Sequence, residues 1–459
     1  MAPKMAPCRG CVAASAGRVP GQCDMAGSFA LAGVDLVATT STPSMLSNNL
    51  SSHACRSNSG GVTKEVLAYA SGTEFHFIAR DEGSGGAWVE GTRGASSASS
   101  PRPNDPSPGS STVLQDLAQS VSLFSAHGRS FLAACFEDGL TVRIFELLES
   151  GASSTLQASA TFTFTPNSSD PVIVRATRDA EDDANAASTF TRGAVVCTTL
   201  NGDPVLCIGT STGFVMLFHC KEVGGNCRFT FWKSLAPEAP SGGDAGVGDI
   251  AWAPVIALAA PDAEGSEGSA LASTLVVGYE DASLRVFRID GQATHCIWRS
   301  LNISLSLRRS SDGSEGETIV AVGVVPSLNV IIAATLSGAV IYFGVSDPGE
   351  DAVHGETLSL QMKVAVRAHA GWLGAMAVDQ ARRMVATCAN DGTLHVLRVV
   401  GLSNIGNDDS TLRDLALFSA HRPKTSFTGV AFLGSGSGTA PSVAAAAYEK
   451  DEVVVFDLK

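Results

Sequence analysis

The chain has 459 residues, 44% hydrophobic and 17% charged, with a formal net charge of −14. An acidic surface repels phosphate backbones, so general nucleic-acid binding is excluded as a function class, and no strip of basic and aromatic residues argues otherwise. Forty-seven glycines, an aromatic content of 6% and few amphipathic helical patterns point to many short strands joined by turns, an all-β chain.

Residues 1–27 read as a disordered N-terminal arm. Lys4, Arg9 and Arg18 precede the first acid, Asp24, and Met25 offers a second possible start. Cys8 and Cys11 with Cys23 lack a fourth ligand at sensible spacing, so no metal site is expected, and no cofactor is implied. The eleven cysteines show no disulfide framework. Cys135, Cys197, Cys207 and Cys388 sit in apolar runs, as small buried hydrophobes do. With no secretory signal, a reducing, cytoplasmic location is expected.

From residue 66 onward a strand–turn–strand unit recurs at 66–77, 131–145, 205–218, 275–287, 330–343, 384–397 and 443–456. Each has a strand of small apolar residues, a polar turn usually holding Gly or Asp, and an alternating strand that closes on Phe, once on Leu397. Such self-similarity marks a repeat architecture. Small residues suit a layer squeezed between neighbouring sheets, and the alternation faces the next sheet. The unit spacing exceeds the roughly 40–45 residues of a bare propeller blade, so the surplus is assigned to disordered loop insertions. These lie near 96–111, 178–187, 238–248, 261–268, 310–316 and 346–355. They add no hydrophobic pattern, so residues 28–459 are expected to form one propeller domain. The longest apolar stretch, 318–335, is broken by Gly323, Pro326 and Asn329, and reads as two strands and a turn, not a membrane span. The last unit ends at the C-terminus without an outer strand, and 29–38 is the natural segment to supply it.

The sixth unit carries His369, Thr387 and the Asp391-Gly392 turn. These residues resemble the WD-repeat family, in which an upstream His, a Ser/Thr, a turn Asp and a Trp pin each blade. Leu397 stands where Trp is usual, and the seventh unit keeps His421 with Glu449-Lys450-Asp451 as its turn. Several stretches, 47–50, 205–218, 330–399 and 429–456, are similar in order to an animal member of that family. The resemblance implies a single seven-bladed WD40-type β-propeller acting through protein contacts, with His369, Thr387 and Asp391 as a structural staple and no catalytic residues. A direct, charge-assisted His369–Asp391 bond is the expected form of that staple.

No nucleophile elbow, P-loop, zinc-protease or dinucleotide motif is present. The function read from the sequence is therefore a non-catalytic protein-interaction scaffold, with other proteins as partners in a multi-subunit complex. The alternative is a hydrolase-type enzyme at the propeller axis, which needs two carboxylates, or a His and a carboxylate, converging at inner-strand ends. Trp232, Trp252, Trp298 and Trp372 are the aromatic residues to weigh. Core packing is the expected role of each, with Trp372, in a loop after His369, the candidate peptide anchor. Arg308-Arg309 before Ser310 and Ser311 marks a possible phosphorylation site.

Overall fold

A computed structural model describes residues 12–13, 29–39, 41, 43, 48–56, 63–71, 74–81, 87–93, 118–136, 142–149, 156–164, 191–198, 201–235, 253–262, 269–291, 294–300, 318–346, 358–399, 415–434, 441–448 and 450–459. These residues form seven sheets, numbered here as blades 1 to 7. Blade 1 comprises Ser51–Arg56, Thr63–Ser71, Glu74–Asp81 and Val89–Glu90. Blade 2 comprises Ala118–Ala126, Arg129–Phe136, Val142–Glu149 and Leu156–Phe164, with Thr92–Arg93 added parallel at its outer edge. Blade 3 holds Thr191–Thr198, Pro204–Thr210, Val215–Val223 and Asn226–Leu235. Blade 4 holds Val255–Ala259, Thr274–Tyr279, Leu284–Ile289 and Thr294–Ser300. Blade 5 holds Ile319–Val325, Val330–Thr335, Ala339–Ser346 and Ser359–Arg367. Blade 6 holds Leu373–Asp379, Met384–Ala389, Thr393–Arg398 and Ala416–His421. Blade 7 holds Ser426–Leu433, Ser442–Tyr448 and Glu452–Leu458, and takes its outer strand, Leu31–Ala38, from the N-terminal side of the chain.

The first strand of each blade touches the first strand of the next, all the way round from blade 1 to blade 7 and back. The first strands therefore line the axis, and the fold is a seven-bladed β-propeller. The seven sequence units are the second and third strands of the seven blades. They are buried on both faces because each gap between blades holds its own apolar cluster. In blade 5, Ile331 and Ala333 face blade 4, whereas Val330, Ile332 and Ala334 face blade 6. A strand sandwiched this way reads as a continuous apolar run rather than as polar alternation.

The 318–335 stretch forms two strands joined by a short 3-10 turn, Pro326–Leu328, with Asn329 in the left-handed conformation at φ 50°. Among the described residues no helix is long and apolar enough to cross a membrane. Ring closure follows the sequence reading. Leu31 lies opposite Leu458 and Ala38 opposite Glu452, and Ala30 and Lys459 exchange backbone hydrogen bonds of 3.0 and 2.8 Å. Within the N-terminal arm, Val12–Ala13 pairs parallel with Ala420 and His421 at the outer edge of blade 6. The other residues of 1–27 lie outside the described residues, as do the segments 96–111, 178–187, 238–248, 263–268, 310–316 and 347–355.

Six inner strands, those of blades 2 to 7, carry a β-bulge near their start, between Ala118/Ser120, Arg192/Ala194, Val255/Ala257, Ile319/Ala321, Leu373/Ala375 and Phe427/Gly429. A bulge leaves one residue unpaired in the ladder and turns its backbone away from the sheet. In blades 5, 6 and 7 that residue is Val320, Gly374 and Thr428.

Candidate functional site

The loop 368–372 enters the inner strand of blade 6 on the face that carries the turns between second and third strands. It is pinned from both sides. The Ala368 and His369 N–H groups donate to the Gly338 carbonyl at 2.9 and 3.2 Å, and Leu373 N–H donates to the Leu336 carbonyl at 3.1 Å. Gly338 has φ 90°, and a Cβ there would sit 2.6 Å from the His369 carbonyl oxygen, so the blade 5 turn requires glycine. From blade 6, Asp391 Oδ2 accepts the N–H groups of Ala370 and Gly371, both at 3.3 Å. The Asn390 N–H donates to the Trp372 carbonyl at 3.0 Å.

Beneath this loop the structure brings His369, Thr387 and Asp391 together, but not through the expected direct bond. His369 Nδ1 stands 3.9 Å from Asp391 Oδ1. The Thr393 hydroxyl bridges them, 2.6 Å from Nδ1 and 2.5 Å from Oδ1. Thr393 donates its hydroxyl proton to the carboxylate, so it accepts from an Nδ1–H. Nε2 is left to accept the Thr387 hydroxyl at 2.9 Å. The sequence reading therefore missed Thr393.

It also missed His395, whose ring centroid is 4.8 Å from that of His369 and whose Nδ1 meets Ser419 Oγ at 2.8 Å. The signal was present in the register. Thr387, His395 and Ser419 lie directly opposite one another on three adjacent strands, forming a polar row across the sheet.

Burial holds His369 well below the usual imidazole range; the neighbouring His395 adds to this, while Asp391 opposes it. Burial also pushes His395 down to about 4, against Asp391 and a backbone hydrogen bond to Ala368. Asp391 is lowered: its burial works upward, but hydrogen bonds from the Thr393 hydroxyl and N–H outweigh it. A neutral histidine with both nitrogens engaged and its side chain 0% exposed cannot reach a substrate. The charge-assisted ion pair expected from the sequence is thus replaced by a neutral hydroxyl relay.

Trp372 itself is 61% exposed, beside Leu336 at 39%. Core packing, the role expected of all four tryptophans, does not hold for this one. Trp232 stacks on His219 with ring centroids 4.5 Å apart and packs against the cluster between blades 3 and 4. Trp252, Ser310 and Ser311 lie outside the described residues, and of Trp298 only the backbone is described. His421 ends the outer strand of blade 6, opposite Thr393.

At the axis, Asn48 spans the inner strands of blades 5 and 6 on the Trp372 face, with its Nδ2 donating to Val320 O at 2.9 Å and its N–H to Gly374 O at 3.0 Å. On the other face the carboxylate ending the blade 6 inner strand, Asp379, is engaged by Arg382 Nη1 at 2.6 Å. Burial raises the Cys220 thiol to about 12, far from nucleophilic at neutral pH. No group of three His, Cys, Asp or Glu suited to a metal ion occurs among the described residues.

No family model matches the chain, and no curated protein matches it. Solved structures match in shape. A chain of the crystal structure of a mitotic checkpoint complex aligns with TM-score 0.52 at 12% identity, covering 97% of this chain and 96% of that one. Raptor from Chaetomium thermophilum aligns at TM-score 0.49 and 9% identity, over 94% of this chain and 29% of that one. At such identities the likeness concerns the fold. What is shared is the ring of blades, here seven sheets of four or five strands.

Proposed function

We propose that this chain is a non-catalytic protein-interaction scaffold and that Trp372, with Leu336, anchors a partner on the face between blades 5 and 6. The observation that carries this reading is the exposure of a tryptophan on a loop whose backbone is fixed at both ends. A large aromatic held rigidly in water loses little conformational freedom on binding and gains much apolar contact, the profile of an interface hot spot. The whole-length match to a chain of a multi-protein complex supports partners of this kind. The similarity of segments 47–50, 205–218, 330–399 and 429–456 to WD repeat-containing protein 54 of animals adds a finer candidate identity. A cytoplasmic location and membership of a larger assembly belong to the same reading. Trp372→Ala should leave the melting temperature within about 1 °C, because an exposed side chain contributes little to folding. Affinity purification with mass spectrometry should show partners captured by the native chain and lost from the variant. A substantial fall in stability would reassign Trp372 to packing.

In this reading His369, Thr387 and Asp391, joined by Thr393, serve as a structural staple beneath the Trp372 loop. Asp391→Ala leaves the N–H groups of Ala370 and Gly371 and the Thr393 hydroxyl without their acceptor, and should cost about 1–3 kcal/mol. Thr393→Val should cost a similar amount and Thr393→Ser much less, as measured by denaturant midpoints. Loss of a chemical activity at unchanged stability would instead make the histidine catalytic. Ser310 and Ser311 remain proposed phosphorylation sites, to be settled by phosphopeptide mapping.

A further inference from the structure

We infer that Asn48 and Asn49 form an axial latch, in which the chain's own segment closes the ring from the inside, independently of the outer closing strand. The segment 48–52 connects five consecutive blades. Asn48 Nδ2, Asn48 N–H and Asn49 N–H donate in turn to the carbonyls of Val320, Gly374 and Thr428, at 2.9, 3.0 and 3.0 Å. These are the bulge residues of three successive inner strands, so the latch reads a feature repeated by the fold rather than three unrelated atoms. Asn48 Oδ1 also accepts the Met376 N–H at 3.2 Å. An inner strand has no neighbour on its axial edge, and its groups there need a partner; Asn48 supplies it.

Asn49, which is buried, clasps blade 1. Its Oδ1 accepts Ala70 N–H at 2.7 Å and its Nδ2 donates to Ala70 O at 3.0 Å. Since Ser51 pairs with Ala68, Asn49 stands where the next ladder residue would be, and its side-chain amide substitutes for a peptide group. Ser52 Oγ donates to Phe432 O at 2.7 Å in blade 7, and Ser51 Oγ accepts Leu123 N–H at 2.9 Å in blade 2.

Two sequence choices admit the segment. Asn48 adopts φ 58°, a conformation that Asn tolerates better than most residues. Gly429 lacks the side chain whose Cβ would lie 2.6 Å from Asn49 and Leu50.

Hydrogen–deuterium exchange on the full chain tests the latch. Asn48→Gly keeps the backbone conformation and removes only the side-chain bonds. It should raise exchange about tenfold in the peptide spanning 373–379, which contains Met376, and leave blades 2 to 4 unchanged. Asn49→Ala should accelerate exchange in 63–71 and 426–433. Gly429→Ala should reproduce both patterns by displacing the segment. Unchanged exchange at 373–379 in Asn48→Gly, or acceleration spread evenly over all blades, would overturn the inference. If Asn49→Ala or Gly429→Ala fails to fold, Asn48→Gly alone decides.

Discussion

Deletion of residues 1–38 should lower the thermal midpoint by about 10 °C or more, whereas deletion of residues 1–28 should change it little. The difference isolates the strand Leu31–Ala38, which is the entire outer edge of blade 7. Val37 is buried in the cluster between blades 7 and 1, and Leu31 and Val34 pack against the cluster between blades 6 and 7. Exposing three aliphatic side chains forfeits about 5 kcal/mol of apolar burial. Each kcal/mol is worth about 2–4 °C for a large domain. The loss also bares Glu452–Leu458 as an unpaired edge, so size-exclusion chromatography should show association as well. Val37→Asp applies the same stress at one position, since a buried carboxylate there has no described partner to meet. Equal midpoints for the two deletions would show that blade 7 is complete without this strand.

Acidification from pH 7 to pH 5 should destabilise the protein strongly, and the paired histidines of blade 6 should account for much of the effect. Both His369 and His395 are held below their unfolded value of about 6.5. Below pH 6.5 the unfolded chain therefore binds protons that the folded chain refuses, so stability falls as pH falls. The loss continues until the folded value is reached, about 4 for His395 and lower for His369. At pH 5 this linkage amounts to about 2 kcal/mol per histidine. Asp391 acts in the same direction but only below its own unfolded value, near pH 4. Burial also lowers His53 and His219, which add to the slope. The difference in urea unfolding free energy between pH 7 and pH 5 should shrink by roughly 2 kcal/mol in His395→Gln relative to the native chain. An unaltered pH dependence in that variant would place the acid sensitivity elsewhere.

The strands that the sequence made legible are those squeezed between two neighbours. Val330–Thr335 and Ala339–Ser346 are apolar on both faces and separated by a glycine turn, so their pattern survives without knowledge of the partner sheets. Of the inner strands, only that of blade 5, Ile319–Val325, was read, because its apolar run is continuous enough to outlast its bulge. Leu373–Asp379 and Ser426–Leu433 each carry a bulge, which breaks the two-residue period that marks a strand. The outer strands face solvent on one edge, as in Ser359–Arg367, where exposed and half-buried residues interleave.

The site divides in the same way. His369, Thr387 and Asp391 stood out because their residue types and order match a known repeat. Thr393 and His395 did not, since a hydroxyl relay depends on distances of a few tenths of an ångström. Trp372 was singled out by the sequence as a loop aromatic that could anchor a peptide, with core packing the expected role; the structure places it 61% exposed.

The repeated strand pairs, the Asp-Gly turn and the apolar segment before residue 39 determined by themselves that seven sheets form and that the ends of the chain close the ring. Those features are local, set by side-chain period and turn chemistry. Which groups meet across blades was decided by the tertiary structure. Asn48 reaches Val320 and Gly374 across more than 270 positions of sequence because the ring places the bulges of two adjacent inner strands beside it. No periodicity in the chain encodes those contacts, since they depend on how neighbouring blades pack and not on the pattern within any one blade.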